Sequence, residues 1–210
     1  MARKDILQVV KTALDSPKRN FTEGVDLAIN LRNIDMSKPQ NRIDEEVVLP
    51  SGLGKPVKIA IFASGELAVK ADRAGADLIL SPDQIEKLGK DKSRAKSLVN
   101  EHDFFLAEAS LMPAIGKNLG PILGPPGKMP SPLTSDVNIA AIIERLRKMV
   151  RIRSKDKTTF HVTIGRKTMT PEEIAANVET VIKQLESKVE KQNIRSIYVK
   201  TTMGPAVRVI

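Results

Sequence analysis

Two hydroxyls, a thioether and a bare stretch of backbone stand side by side in Thr201-Thr202-Met203-Gly204-Pro205. Glycine turns where a Cβ would clash, and proline fixes φ while removing an amide donor. The run therefore reads as a tight stop between two strand-like stretches, Ile197–Thr201 and Ala206–Ile210. An apolar core has no use for that combination of side chains. It suits either an ordinary hairpin turn or a rim that grips a polar, close-fitting surface, and local chemistry leaves both open. A second cluster lies far upstream, where Phe21-Thr22-Glu23-Gly24 sets one aromatic in an otherwise polar loop behind Pro17.

Other candidate chemistry fails on spacing. Gly120-Pro-Ile-Leu-Gly-Pro-Pro-Gly-Lys128 resembles a phosphate loop, but the pattern needs glycine where Ile122 stands and Ser or Thr where Met129 stands. Its prolines also remove amides that would cradle phosphate, so the run reads as a stiff surface loop. His102 and His161 are the only histidines and cysteine is absent, which leaves no His-rich or thiolate metal site, no disulfide and no Cys nucleophile. No G-x-S-x-G nucleophile elbow occurs. The expectation is a protein without cofactor or metal that is not an enzyme. The rival is an enzyme acting on a nucleotide or phosphorylated substrate.

The formal net charge is +9, with a pI near 9.8. Such a surface attracts polyanions and releases their counterions on contact. Residues 1–56 plus 153–210 hold 20 basic and 14 acidic side chains, and residues 57–152 hold 14 and 11, so the excess sits at the two ends. No apolar run is long enough to span a membrane, and no secretory signal follows Met1-Ala-Arg-Lys-Asp5, so a cytoplasmic protein with no membrane partner is expected.

The elements that must position these clusters fall into two styles. A helix over Lys4–Ser16 precedes the half-buried strands Val25–Leu31 and Glu45–Leu49, and Pro50–Pro56 reads as a joint. From Val57 the pattern becomes buried strands (Val57–Ala63, Ala76–Leu80, Asp103–Ala109) alternating with helices (Glu66–Ala74, Pro82–Leu88, Asp91–Asn100), as in a covered parallel sheet. Met112–Pro132, with six Pro and four Gly, interrupts it before a helix over Asp136–Val150. After the charged crossing Arg151–Lys157 the first style returns, with a strand over Thr158–Ile164, a capping box at Thr170-Pro171-Glu172-Glu173, a long helix, and a strand over Ile194–Thr201. The economical fold class is α/β: an α+β split domain, residues 1–56 plus 153–210, carrying an inserted Rossmann-like three-layer α/β domain, residues 57–152. Two chain crossings at one joint would permit hinge motion. A single mixed α/β domain is the alternative.

In the split arrangement Phe21, Glu23, Thr202, Met203 and Gly204 share a rim with the strand that carries His161. Folded RNA is read through phosphates, 2′-hydroxyls and unstacked bases, which suits hydroxyls, backbone and one aromatic. On this reading Met203→Asp or Gly204→Val removes binding and leaves the fold intact.

Four blocks in order along the chain, Phe21-Thr-Glu23, Asn41-Arg-Ile-Asp-Glu-Glu-Val-Val-Leu-Pro-Ser-Gly-Leu-Gly-Lys55, the Gly-Pro run within Met112–Pro130, and Thr201-Thr-Met-Gly-Pro205, resemble the ribosomal protein L-one family in its archaeal form. The resemblance covers essentially the whole chain. It implies a discontinuous first domain and an inserted second domain joined by a hinge. It also implies binding to large-subunit ribosomal RNA at the mobile stalk, beside the exit-site transfer RNA whose deacylated form is released there. Repression of translation through a similar structure in the protein's own messenger RNA is implied too, by a protein that is a monomer when free. Carried over, the RNA contacts fall on Phe21, Glu23, Thr202, Met203 and Gly204, with His161 beside them. Asn20 and Gly24 stand where some relatives have Lys and Thr.

Overall fold

Asp5 opens the first helix of the computed structural model, which describes residues 5–17, 19–134 and 138–210. Its carboxylate accepts the Leu7 N–H, and Val9, Val10 and Ala13 bury the apolar stripe of α1 (Ile6–Leu14). In β1 (Gly24–Leu31) every second side chain is buried, and β2 (Asp44–Val48) follows. β3 (Ile59–Phe62) is buried on both faces. It is succeeded by α2 (Gly65–Arg73), β4 (Leu78–Leu80), α3 (Pro82–Lys90), α4 (Lys92–Glu101), β5 (Phe104–Glu108), α5 (Met112–Leu123), β6 (Ser131–Leu133) and α6 (Ile139–Arg147). The chain ends with β7 (Met149–Arg153), β8 (Thr159–Arg166), α7 (Pro171–Lys188), β9 (Ile194–Thr201) and β10 (Val207–Arg208). The Thr170–Glu173 capping box forms in both directions at the start of α7.

These elements make two compact units, one of the described residues through Lys55 with Lys148–Ile210, the other Pro56–Arg147. The first unit is built on an antiparallel sheet ordered β10-β9-β1-β8, with a separate ribbon of β2 and β7. Val25, Leu27 and Ile29 of β1 join Ile197 and Val199 of β9 beneath α1 and α7, whose Ile174, Val178, Val181 and Ile182 are buried. Each such aliphatic contributes about 1.5–3 kcal/mol. The second unit is a parallel sheet ordered β4-β3-β5-β6 with helices on both faces. On one face Phe62 and Phe105 stack with centroids 6.1 Å apart, under Ile85, Ile115 and Leu119. The fold class is α/β.

Four details differ from the sequence expectation. The second crossing falls at Arg147–Lys148 rather than 152/153, because Met149–Arg153 is a strand paired residue by residue with Asp44–Val48. The expected helix over Asp136–Val150 is the shorter α6, since Met149 and Val150 belong to that strand; Asp136 lies outside the described residues, as does Lys4 of the expected first helix. The C-terminal strand shrinks to the two residues of β10. The largest difference is the Gly-Pro run. Its first half is the helix α5, not a loop, because Ile115, Leu119 and Leu123 recur every four residues and are buried. Burying three such side chains contributes roughly 5–9 kcal/mol, against about 5 for two glycines and Pro121 inside a helix. Pro113 costs little, since its missing N–H lies in the first turn.

Asn177 ties the first unit together. Fully buried on α7, it donates to the Gly52 and Ile164 carbonyls and accepts the Ser51 N–H. Asn177→Ala orphans buried backbone groups and is expected to destabilise the protein by about 1–3 kcal/mol in urea unfolding.

Candidate nucleic-acid interface

One buried carboxylate organises the end of the sheet where β1 begins. Glu23 precedes β1 and is 1% exposed. Its Oε1 accepts the Met203 N–H at 2.9 Å and its Oε2 accepts from Lys167 Nζ at 3.3 Å. Lys167 lies in the turn after β8, and its own N–H donates to the Glu23 carbonyl at 3.0 Å. The same Nζ donates to the Ser16 carbonyl and hydroxyl at 2.6 and 2.7 Å, holding the segment that follows α1. Three pieces of chain, around Ser16–Glu23, Lys167 and Met203, are thus clasped around one ion pair. The Met203 amide, opposed by burial and reinforced by Lys167 and Thr201, holds the Glu23 carboxyl below its ordinary range.

The clasp fixes the 201–205 turn in a defined shape. Thr202 N–H donates to the Gly24 carbonyl at 3.0 Å, and Gly24 N–H donates to Thr202 Oγ1 at 3.0 Å, so the turn extends the β1–β9 pairing. Gly204 N–H closes it on the Thr201 carbonyl at 3.2 Å. With its backbone so engaged, the turn presents Met203 outward at 61% exposure, while Phe21 is 53% exposed in the loop before Glu23. Both are large apolar side chains in water, on segments held by the same ion pair.

Two expectations need correction. Glu23 is beneath the rim rather than on its surface, so it acts by positioning Met203. Gly204 is fixed by packing, because a Cβ there would run into the buried Thr201 hydroxyl and approach Ser16 Cβ at 3.4 Å. Gly204→Val therefore reshapes the turn, and only Met203→Asp probes the surface with the turn preserved. Gly24 carries no such constraint: a Cβ there would meet Thr202 Oγ1 at an ordinary 3.6 Å.

His161 is not brought to the clasp. It pairs with Ala28, roughly 13 Å along β1 from Gly24, and is exposed on the sheet face opposite α1 and α7. Strand register builds rows across this polar face that the sequence reading missed. Nearest the rim stand Thr163, Asp26 and Lys200, with Thr163 Oγ1 donating to Asp26 at 2.8 Å; next come His161, Ala28, Tyr198 and Arg208. The alternation of β1 marks Asp26 as outward, but only pairing across three strands reveals its neighbours.

In the second unit the phosphate-loop lookalike is committed to structure. Lys128 of the phosphate-loop lookalike donates from Nζ to the Val99 and His102 carbonyls, both at 2.7 Å, and so caps α4. A doubly wound sheet binds phosphates beyond the carboxyl ends of its central strands. Here that place, between β3 and β5, carries the carboxylate of Glu108, which accepts from Ser110 and Ser64 and is thereby kept ionised below its ordinary range. A fixed negative charge opposes phosphate there. Among the described residues no cluster of His, Asp or Glu is placed to hold a metal, and no helix is long and apolar enough to cross a membrane.

Comparison with known proteins points to a single family. The model of the ribosomal protein L1p/L10e family matches residues 9–205. The large ribosomal subunit protein uL1 of Methanocella arvoryzae is 62% identical across the full length of both chains. That of Methanococcoides burtonii is 54% identical, also across both full lengths. That of Archaeoglobus fulgidus is 53% identical over 99% of this chain and 96% of its own.

Proposed function

This chain belongs to the ribosomal protein L1p/L10e family in its archaeal form, and on that premise we infer that it is a large-subunit ribosomal protein whose first unit grips ribosomal RNA. The family is one of ribosomal proteins rather than enzymes, and the cytoplasmic ribosome is its place. The observation that carries the RNA reading is the clasp, which spends a buried ion pair on holding Met203 outward beside a neutral, hydroxyl-lined turn. Met203 offers an adaptable apolar surface to a sugar or base, Phe21 a stacking plane, and the exposed Thr202 a polar edge for the RNA backbone, while Gly204 lets the turn close tightly beneath them. Glu23 and Lys167 shape that surface from below. The row Thr163–Asp26–Lys200 and then His161 continue it along the sheet.

The first unit, with 22 basic and 14 acidic residues, supplies the long-range attraction. In this reading the rim holds the RNA of the mobile stalk. From there the protein stands beside the exit-site transfer RNA and assists release of its deacylated form. The same grip on a similar structure in its own messenger would repress translation when the protein is in excess. Between these engagements the free protein is a monomer.

The test is equilibrium binding to large-subunit ribosomal RNA and to arbitrary structured RNA of equal length across a salt series. The reading expects selective affinity for the ribosomal RNA, with a log–log salt slope gaining roughly 0.7–0.9 for each phosphate contacted. Equal affinity for both RNAs would refute it and indicate a basic protein that binds polyanions without selection.

A further inference from the structure

The positive charge of the second unit is gathered in one place. Residues 56–147 hold twelve basic and eleven acidic side chains, yet the ten residues 87–96 hold five basic and one acidic. Outside that stretch the unit is net negative. Lys87 and Lys90 end α3, and Lys92, Arg94 and Lys96 begin α4, so the five flank a single helix–helix corner at Asp91. All five are exposed, and among the described residues none has an ion-pair partner. Asp91 is engaged as the cap of α4, its carboxylate accepting the Arg94 N–H at 3.0 Å.

Stability does not explain the corner. Lys87 and Lys90 complement the dipole at the end of α3. By contrast, Lys92 and Arg94 occupy the first turn of α4, where acids are favoured, and Lys92 repels Lys96 one turn later. A merely solvated face would carry both signs, as the rest of this unit does. With no aromatic among them to stack a base, the five suit the phosphate backbone.

We propose that the α3–α4 corner, Lys87 to Lys96, is a second RNA contact that neutralises the phosphate backbone of a segment separate from the one held by the first unit. The proposal takes RNA as the partner from the reading above, and it is independent of the Met203 rim in residues and in unit. It makes the protein a two-handed binder, one hand shaped for a particular RNA structure and the other indifferent to sequence.

The experiment uses the full chain carrying Lys90→Gln, Lys92→Gln, Arg94→Gln and Lys96→Gln. Two RNAs are titrated: whole large-subunit ribosomal RNA, and the shortest fragment that retains full affinity for Met203-dependent binding. The variant should melt like the parent and bind the short fragment unchanged. It should bind the whole RNA at least tenfold more weakly near 0.1 M salt, with the salt slope reduced by about three units. Unchanged affinity and slope on the whole RNA would overturn the proposal, as would lysine crosslinks in assembled subunits that run from this corner to a protein. Met203→Asp run in parallel separates the two readings: if it leaves both RNAs bound, the rim assignment fails whatever the corner does.

Discussion

Met203→Asp is expected to weaken binding to large-subunit ribosomal RNA by at least roughly a hundredfold, about 2.7 kcal/mol, while the melting temperature stays within about 2 °C. The side chain is 61% exposed and its backbone, not its thioether, is what the fold uses. A carboxylate there adds like charge against phosphate, a juxtaposition that costs several kcal/mol when water is excluded. Filter binding and a thermal melt decide it together. Unchanged affinity in a folded variant would remove Met203 from the interface.

The second large effect concerns Lys167, which touches no RNA in this account. Lys167→Met withdraws the cation from a carboxylate that is 1% exposed and releases the Ser16 segment. The Met203 turn then loses its support, and RNA affinity should fall roughly ten- to a hundredfold, the worth of hydrogen bonds to charged groups. Glu23→Gln retains an acceptor for the Met203 amide and should fall less than Lys167→Met. That ordering is what a positioning role predicts, and a variant series in which Glu23→Gln is the worse would contradict it. The pH dependence has a definite sign. Glu23 has a folded pKa below its ordinary value of 4.5, so its contribution is complete above that value and is lost as pH falls through the lower, folded one. The turn should hold unaltered from neutrality to about pH 5 and loosen only in stronger acid, read by RNA affinity at constant salt.

The fold was largely written in periodicity. Alternation in Val25–Leu31 and the continuous apolar run before Ala63 separate a sheet wet on one face from a sheet covered on both. The helix α5 was hidden because glycine and proline signal a loop locally, while the burial of Ile115, Leu119 and Leu123 that overrides them is a tertiary fact. β7 was hidden for a similar reason: Arg151 and Arg153 look like a solvated crossing until Asp44 of the partner strand is seen to receive both.

The candidate site was legible in its exposed residues and illegible beneath them. Thr202, Met203 and Phe21 advertise themselves, since exposed apolar and hydroxyl groups in a turn need a reason. Lys167 does not, because a lysine after a glycine-containing strand end looks like any surface charge. Its role depends on Ser16 and Glu23, separated from it by 151 and 144 residues. The same distance concealed the row Thr163–Asp26–Lys200, which exists only through strand register.

The central claim is that this rim recognises one structure within the ribosomal RNA. Footprinting the protein on total ribosomal RNA tests it most directly, with wild type and Met203→Asp side by side. The account predicts a single protected stalk in the large-subunit RNA with wild type, absent with Met203→Asp. Protection scattered over many sites, or the same stalk protected equally by both proteins, would contradict it.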